Sequence, residues 1–208
     1  MISKETKTFL TALTFFTRIP APKFEFKEEY LQNCGRFFSI IGLIVGSLSF
    51  LPYYFAVSYF SQPTAITLSL VTSVIITGAF HEDGLADMAD GLGGGWSKEQ
   101  KLRIMKDSRI GTYGTVTLIL LFILKVSLLW ELTSLVCPLT FFLIYLACHT
   151  LSRLNAGLLM FFLPYVQEDD TTKSKPVARM TGISLITLTV TGFIPLYLLP
   201  LTSFWLLL

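Results

Sequence analysis

From Phe37 to Phe60 the chain carries no charged side chain. A helix crosses the roughly 30 Å hydrocarbon core of a bilayer in about 20 apolar residues. Inside lipid every backbone N–H and C=O must be satisfied within the structure, which leaves helices and closed barrels as the only spanning forms. The run is more than twice the length of a barrel strand, so it predicts a membrane helix. Four more apolar runs follow: Thr64 to Phe80, Thr115 to Trp130 around Lys125, Leu135 toward Pro164, and Ile183 to the end. The fourth contains His149, Arg153 and Asn155. Only 14% of the residues are charged, against about 25% in soluble domains. The expected fold is all-α: a polytopic integral membrane helical bundle of about five to six transmembrane helices plus interfacial helices, one membrane-embedded domain over residues 1–208.

Within these runs, Gly42 and Gly46 make a small-xxx-small pair suited to close helix packing, and Pro52 marks a place for a kink. The second run passes into His81-Glu82-Asp83 and is read as one continuous helix. Thr8 to Phe16, between Lys7 and Arg18, fits a helix in the membrane interface or a buried turn of helix, and both readings stand. No small-x-small cleavage site follows it. The chain closes in Phe204-Trp205-Leu206-Leu207-Leu208, which fits a short member of its class or a fragment. Cys34, Cys137 and Cys148 match no metal or redox spacing and are expected to pack as small hydrophobes.

Net charge is +2, which gives no electrostatic case for nucleic acid. The placement of the cations is more telling. Lys4, Lys7, Arg18, Lys23, Lys27 and Arg36 precede the first run. Lys98, Lys101, Arg103, Lys106 and Arg109 follow the second. Lys173, Lys175 and Arg179 follow the fourth. The remaining turns hold none. The positive-inside rule therefore expects a multi-pass protein with its N-terminus and both long loops in the cytoplasm.

The chemistry lies in His81-Glu82-Asp83-Gly84-Leu85-Ala86-Asp87-Met88-Ala89-Asp90-Gly91. On a helix, Asp83, Asp87 and Asp90 fall within about 60° of one another. Like charges that close repel, and no Lys or Arg sits among them at helical spacing. A divalent cation of the Mg2+, Mn2+ or Ca2+ type answers this, because such ions take oxygen ligands. A solvated acidic helix end is the plain alternative, and the neighbouring hydrocarbon argues against it. Gly84, Ala86 and Gly91 leave room for a bulky substrate or for another helix. Gly93-Gly94-Gly95 ends the helix and exposes N–H groups that suit anions. Ser97-Lys98-Glu99-Gln100 has the pattern of a capping box. The following helix leads into Lys106-Asp107-Ser108-Arg109, where Lys106 and Arg109 suit phosphate oxygens and Asp107 suits a metal or a base. Carboxylates and cations at a membrane edge point to phosphoryl or nucleotidyl transfer.

The acidic motif, the glycines after it, and Ile104-Met105-Lys106-Asp107-Ser108-Arg109-Ile110-Gly111-Thr112-Tyr113-Gly114 closely resemble the cobalamin-5′-phosphate synthase family, also called adenosylcobinamide-GDP ribazoletransferases. Phe15-Phe16-Thr17-Arg18-Ile19-Pro20-Ala21-Pro22 and Gly35-Arg36 resemble it as well. The resemblance implies an enzyme of the bacterial or archaeal cytoplasmic membrane that joins adenosylcobinamide-GDP to α-ribazole or its 5′-phosphate with loss of GMP. It implies Mg2+ on Asp83, Asp87 and Asp90, with Glu82, Asp87 and Asp107 as catalytic candidates. Arg18, Arg36, His81, Lys106, Arg109 and Arg153 are the substrate-binding candidates it suggests. The acidic run Glu168-Asp169-Asp170 stands where a basic residue is expected. Homo-oligomerisation and association with other proteins of cobalamin biosynthesis are left open.

Two rival readings bear on the same segment. A CDP-alcohol phosphotransferase would continue with Arg directly after the Ala and with a later aspartate pair, whereas Asp87 follows Ala86 here. A cation transporter would place its acids at mid-membrane depth, and Lys125 is the residue that suits it best.

Overall fold

The computed structural model describes residues 3–163 and 182–199. Those residues form helices and no strand: α1 (Lys4–Phe16), α2 (Glu28–Cys34), a 3-10 turn (Gly35–Phe37), α3 (Phe38–Ala56), α4 (Gln62–Thr77), α5 (Phe80–Gly94), α6 (Lys98–Met105), α7 (Thr112–Leu135), α8 (Pro138–Phe162), α9 (Gly182–Gly192) and α10 (Ile194–Tyr197). Lys173, Lys175, Arg179, the 168–170 acids and the apolar tail lie outside the described residues. Three stretches are long and apolar enough to cross a membrane: Glu28–Ala56, Thr112–Leu135 and Pro138–Phe162. α4 and α5 pass the same test together, as a pair bent by 88°. The chain divides into two compact units, 1–51 with 136–208, and 52–135.

In the first unit, α8 packs against α3. Gly42 and Gly46 make this approach close, as their spacing predicts. A Cβ on Gly42 would lie 2.6 Å from the His149 carbonyl oxygen, and one on Gly46 would lie 3.0 Å from Leu146. The Phe50 ring packs 5.8 Å from Phe141 and 5.6 Å from Tyr145, and the Ser49 hydroxyl bonds the Tyr145 hydroxyl at 3.0 Å. α1 buries Thr8, Thr11, Ala12, Leu13 and Phe16, and Phe16 stacks on Phe38 at 4.2 Å. Of the two readings of this segment, the buried one describes that face. Cys34 is buried, while Cys137 and Cys148 are exposed rather than packed in the core.

In the second unit the continuous second run divides into two helices. Gly78 (φ 65°) and Ala79 (φ 60°) are both left-handed. The Ala79 N–H donates to the Val74 carbonyl at 2.9 Å and the Gly78 N–H to the Ile75 carbonyl at 3.2 Å. This is the Schellman closure of a helix C-terminus, which glycine favours at the left-handed position. α4 therefore stops, and α5 leaves at a sharp angle instead of extending the span.

Candidate active site

α5 carries His81, Glu82, Asp83, Asp87 and Asp90. Asp83 is exposed, Asp87 half-buried and Asp90 buried. α5 is turned 88° from α4, is rich in acids, and is not one of the three stretches that are long and apolar enough to span on their own. Desolvation raises the Asp87 carboxyl above its ordinary value, and the charges of Asp83 and Asp90 push it the same way. The charges of both neighbours therefore reach Asp87. Glu82 has one buried carboxylate oxygen, Oε2, with no hydrogen-bond partner among the described residues. His81 packs edge-on to Phe80 at 5.4 Å.

α5 runs through the first two glycines of the triplet, and Gly95 caps it. These glycines serve close packing. A Cβ on Gly93 would meet the Tyr113 ring at 2.5 Å, and one on Gly91 would meet Met105 at 2.7 Å. The anion-binding reading of the triplet gains no support from these contacts. Among the described residues nothing lies within 4 Å of where a Gly84 Cβ would be, and the neighbouring Asp83 is exposed, so this side of α5 is open among them. Ser97 caps α6 by accepting the Gln100 N–H at 3.2 Å, and the Gln100 side chain accepts the Trp96 N–H at 3.0 Å. The capping pattern seen in the sequence is therefore built.

Asp90 joins the acidic helix to the next segment. Its Oδ2 accepts the Gly111 N–H at 2.7 Å and its Oδ1 accepts the Gly114 N–H at 2.9 Å. First-turn N–H groups of a helix have no partner within the helix, and Asp90 supplies one from α5. The three expected metal ligands, Asp83, Asp87 and Asp90, all lie on α5. Among the described residues no group of three His, Cys, Asp or Glu is placed to hold a metal. The geometry gives the reason: seven helical residues rise about 10 Å, too far for one ion to bridge Asp83 and Asp90, whereas four rise about 6 Å. Asp83 and Asp87 remain a pair on the open side.

Between α6 and α7, Arg109 forks onto Asp107. Its Nε donates to Oδ1 at 3.1 Å and its Nη2 to Oδ2 at 2.7 Å, and its backbone N–H donates to Oδ1 at 3.1 Å. Arg109 holds the Asp107 carboxyl down at about 2. Lys106 is exposed and closes α6, its N–H donating to the Arg103 carbonyl at 3.3 Å. His81, Glu82, the three aspartates, Lys106, Asp107 and Arg109 all belong to the second unit. The clamp of Asp90 on Gly111 and Gly114 was not foreseen from the sequence, although both glycines stand in the motif.

The other three arginines belong to the first unit. Arg18 is exposed. Arg36 donates to Glu5 at 2.6 Å and lies 5.0 Å from the Phe37 ring. Arg153 is buried on α8, donating from Nη1 to the His149 carbonyl at 2.9 Å and lying 5.9 Å from the Phe38 ring. Arg36 and Arg153 thus make structural contacts within their own unit.

A family profile described as cobalamin-5-phosphate synthase matches residues 8–208. The chain is 48% identical over 192 residues to the adenosylcobinamide-GDP ribazoletransferase of Shewanella pealeana, covering 91% of this chain and 74% of that protein. It is 46% identical over 200 residues to the enzyme of that name from Shewanella halifaxensis, covering 95% and 77%. Against the enzyme of that name from Shewanella oneidensis the identity is 43% over 198 residues, covering 94% and 75%. No solved structure matches. The profile takes in both the acidic helix and the basic turn that Asp90 ties together, and the chain belongs to the cobalamin-5-phosphate synthase family.

Proposed function

We infer that this chain joins adenosylcobinamide-GDP to α-ribazole or α-ribazole 5′-phosphate at the open side of α5, with Mg2+ held by Asp83 and Asp87. The chain is a transferase of late cobalamin biosynthesis. The observation that supports this site is the pair of bonds from Gly111 and Gly114 to Asp90, which brings the acidic helix and the basic turn together in one unit. Family membership leaves neither the CDP-alcohol nor the transporter reading in play.

The residues present suit Mg2+. The donors are all oxygen, and the Asp83 charge helps to raise the Asp87 carboxyl above its ordinary value. Mg2+ commonly takes one or two carboxylates and completes its shell with water and substrate phosphate, so two aspartates suffice. When bound, Mg2+ neutralises diphosphate charge and polarises the phosphoryl oxygen.

In the reaction a ribose hydroxyl of the ribazole forms a bond to the phosphorus on the cobinamide side. The bond from that phosphorus to the oxygen of GMP breaks, and GMP leaves. Glu82 takes the hydroxyl proton, a role supported by its buried Oε2, which has no donor among the described residues. Asp107 makes a poor base, because a carboxylate held at about 2 gains little by accepting a proton near neutrality. Lys106 and Arg109 hold the diphosphate. The Asp107–Arg109 pair is exposed, and exposed pairs are weak in water, so phosphate can draw Arg109 to itself. The site faces the cytoplasm in the inner membrane, a reading supported by the Lys and Arg of the 98–109 segment.

Turnover of adenosylcobinamide-GDP with α-ribazole 5′-phosphate, in membranes with Mg2+, tests the reading. Wild type is expected to release GMP, and Asp87→Asn or EDTA to abolish it. Full activity in Asp87→Asn with EDTA present would remove the metal site.

A further inference from the structure

We propose that Asp90 is a positioning residue, not a metal ligand: its carboxylate clamps the start of α7 to α5 and so fixes the Lys106–Arg109 run for the diphosphate of adenosylcobinamide-GDP. The proposal deepens the reading above and rests on it.

Three observations carry it. Both Asp90 oxygens are engaged, by the N–H groups of Gly111 and Gly114 at 2.7 and 2.9 Å. The contact is shaped to admit nothing else. A Cβ on Gly111 would lie 2.5 Å from Oδ1, and one on Gly114 would lie 2.5 Å from Oδ2 and 2.9 Å from the Ala86 carbonyl oxygen. Finally, Asp90 is buried while Asp83 is exposed, so the two ends of the acidic face meet different surroundings. Hydrogen bonds from N–H to an ionised carboxylate are among the stronger kinds. The first residue clamped, Gly111, lies two positions beyond Arg109. A rigid anchor there limits where the Lys106 and Arg109 side chains reach, while metal binding is left to Asp83 and Asp87.

The test uses the whole chain in detergent as wild type, Asp90→Asn and Gly114→Ala. Asp90→Asn keeps one acceptor oxygen and the residue's size. Gly114→Ala disturbs the same contact with the carboxylate intact. Both are expected to raise KM for adenosylcobinamide-GDP about tenfold, the loss of roughly one charge-assisted hydrogen bond. KM for α-ribazole and the Mg2+ midpoint should stay at wild-type values. Without substrate, trypsin should cut after Lys106 and Arg109 faster in both variants. A raised Mg2+ midpoint in Asp90→Asn would make Asp90 a ligand and overturn the proposal. So would unchanged cleavage, or a fall in kcat with neither KM moved, which is the mark of lost folded protein alone. If wild type fails to turn over this substrate pair, the functional reading fails, and the cleavage rates still decide the clamp.

Discussion

A carboxylate held at about 2 is ionised at every pH near which an enzyme of this kind works. Asp107 is in that position because Arg109 forks onto it. Its folded value lies below the ordinary 3.8. The pair's contribution to stability is therefore complete above about 4 and disappears only as pH falls through 2. It follows that any acidic limb of the kcat/KM profile above pH 4 belongs to another group. Asp107→Asn should lower activity if Arg109 drifts, yet leave that limb where it was, and a pH–rate profile of the variant reads this directly. Glu82→Gln, by contrast, should cost a factor of about 100 to 10,000 in kcat, the span typical of a lost general base, with the Mg2+ midpoint unchanged. Residue types and spacing made these candidates legible in the sequence. Which acids are already engaged was not legible, because the partners of Asp90 lie 21 and 24 positions away.

Glycine does most to shape the elements, in two different ways. Gly42 lies against the backbone of α8, and backbone cannot step aside. Gly42→Ala should destabilise the protein by about 1–3 kcal/mol, the usual cost of overpacking. Gly78 is needed for its conformation: at φ 65° an alanine costs roughly 1–2 kcal/mol. Thermal unfolding in detergent measures both losses, and Gly78→Ala should in addition reduce turnover by disturbing the departure of α5. The Gly42–Gly46 pair could be read from sequence because its period is helical. Gly78 could not be told from a packing glycine, since it sits within an apolar run and the helical pattern resumes after it. The capping box of α6 was legible because all its partners lie within four residues.

At the scale of the whole molecule, the apolar runs announced a membrane bundle, and the helices are built where three of them lie. Among the described residues, none of the spanning window of α7 is buried. Leu120, Ile123, Leu124 and Leu128 are exposed along it, which is what a helix facing lipid shows. Lys125 lies 5.5 Å from the Phe122 ring, a contact available without any ion path. The proposed orientation has a direct check. Trypsin should cut within residues 98–109 in inside-out vesicles and spare that segment in spheroplasts. Cleavage in spheroplasts would place the site on the opposite face.

The bonds from Gly111 and Gly114 to Asp90 also make a knot in the path of the chain. Residues 91–110 leave that point and return to it, so they form a closed loop whose mouth is fixed whatever its circumference. Closure entropy grows only with the logarithm of length, about 0.6 kcal/mol for each doubling. Trp96, 94% exposed between α5 and α6, is then a place where the chain tolerates added length. A flexible insert there should leave the mouth, and the two aspartates beside it, undisturbed.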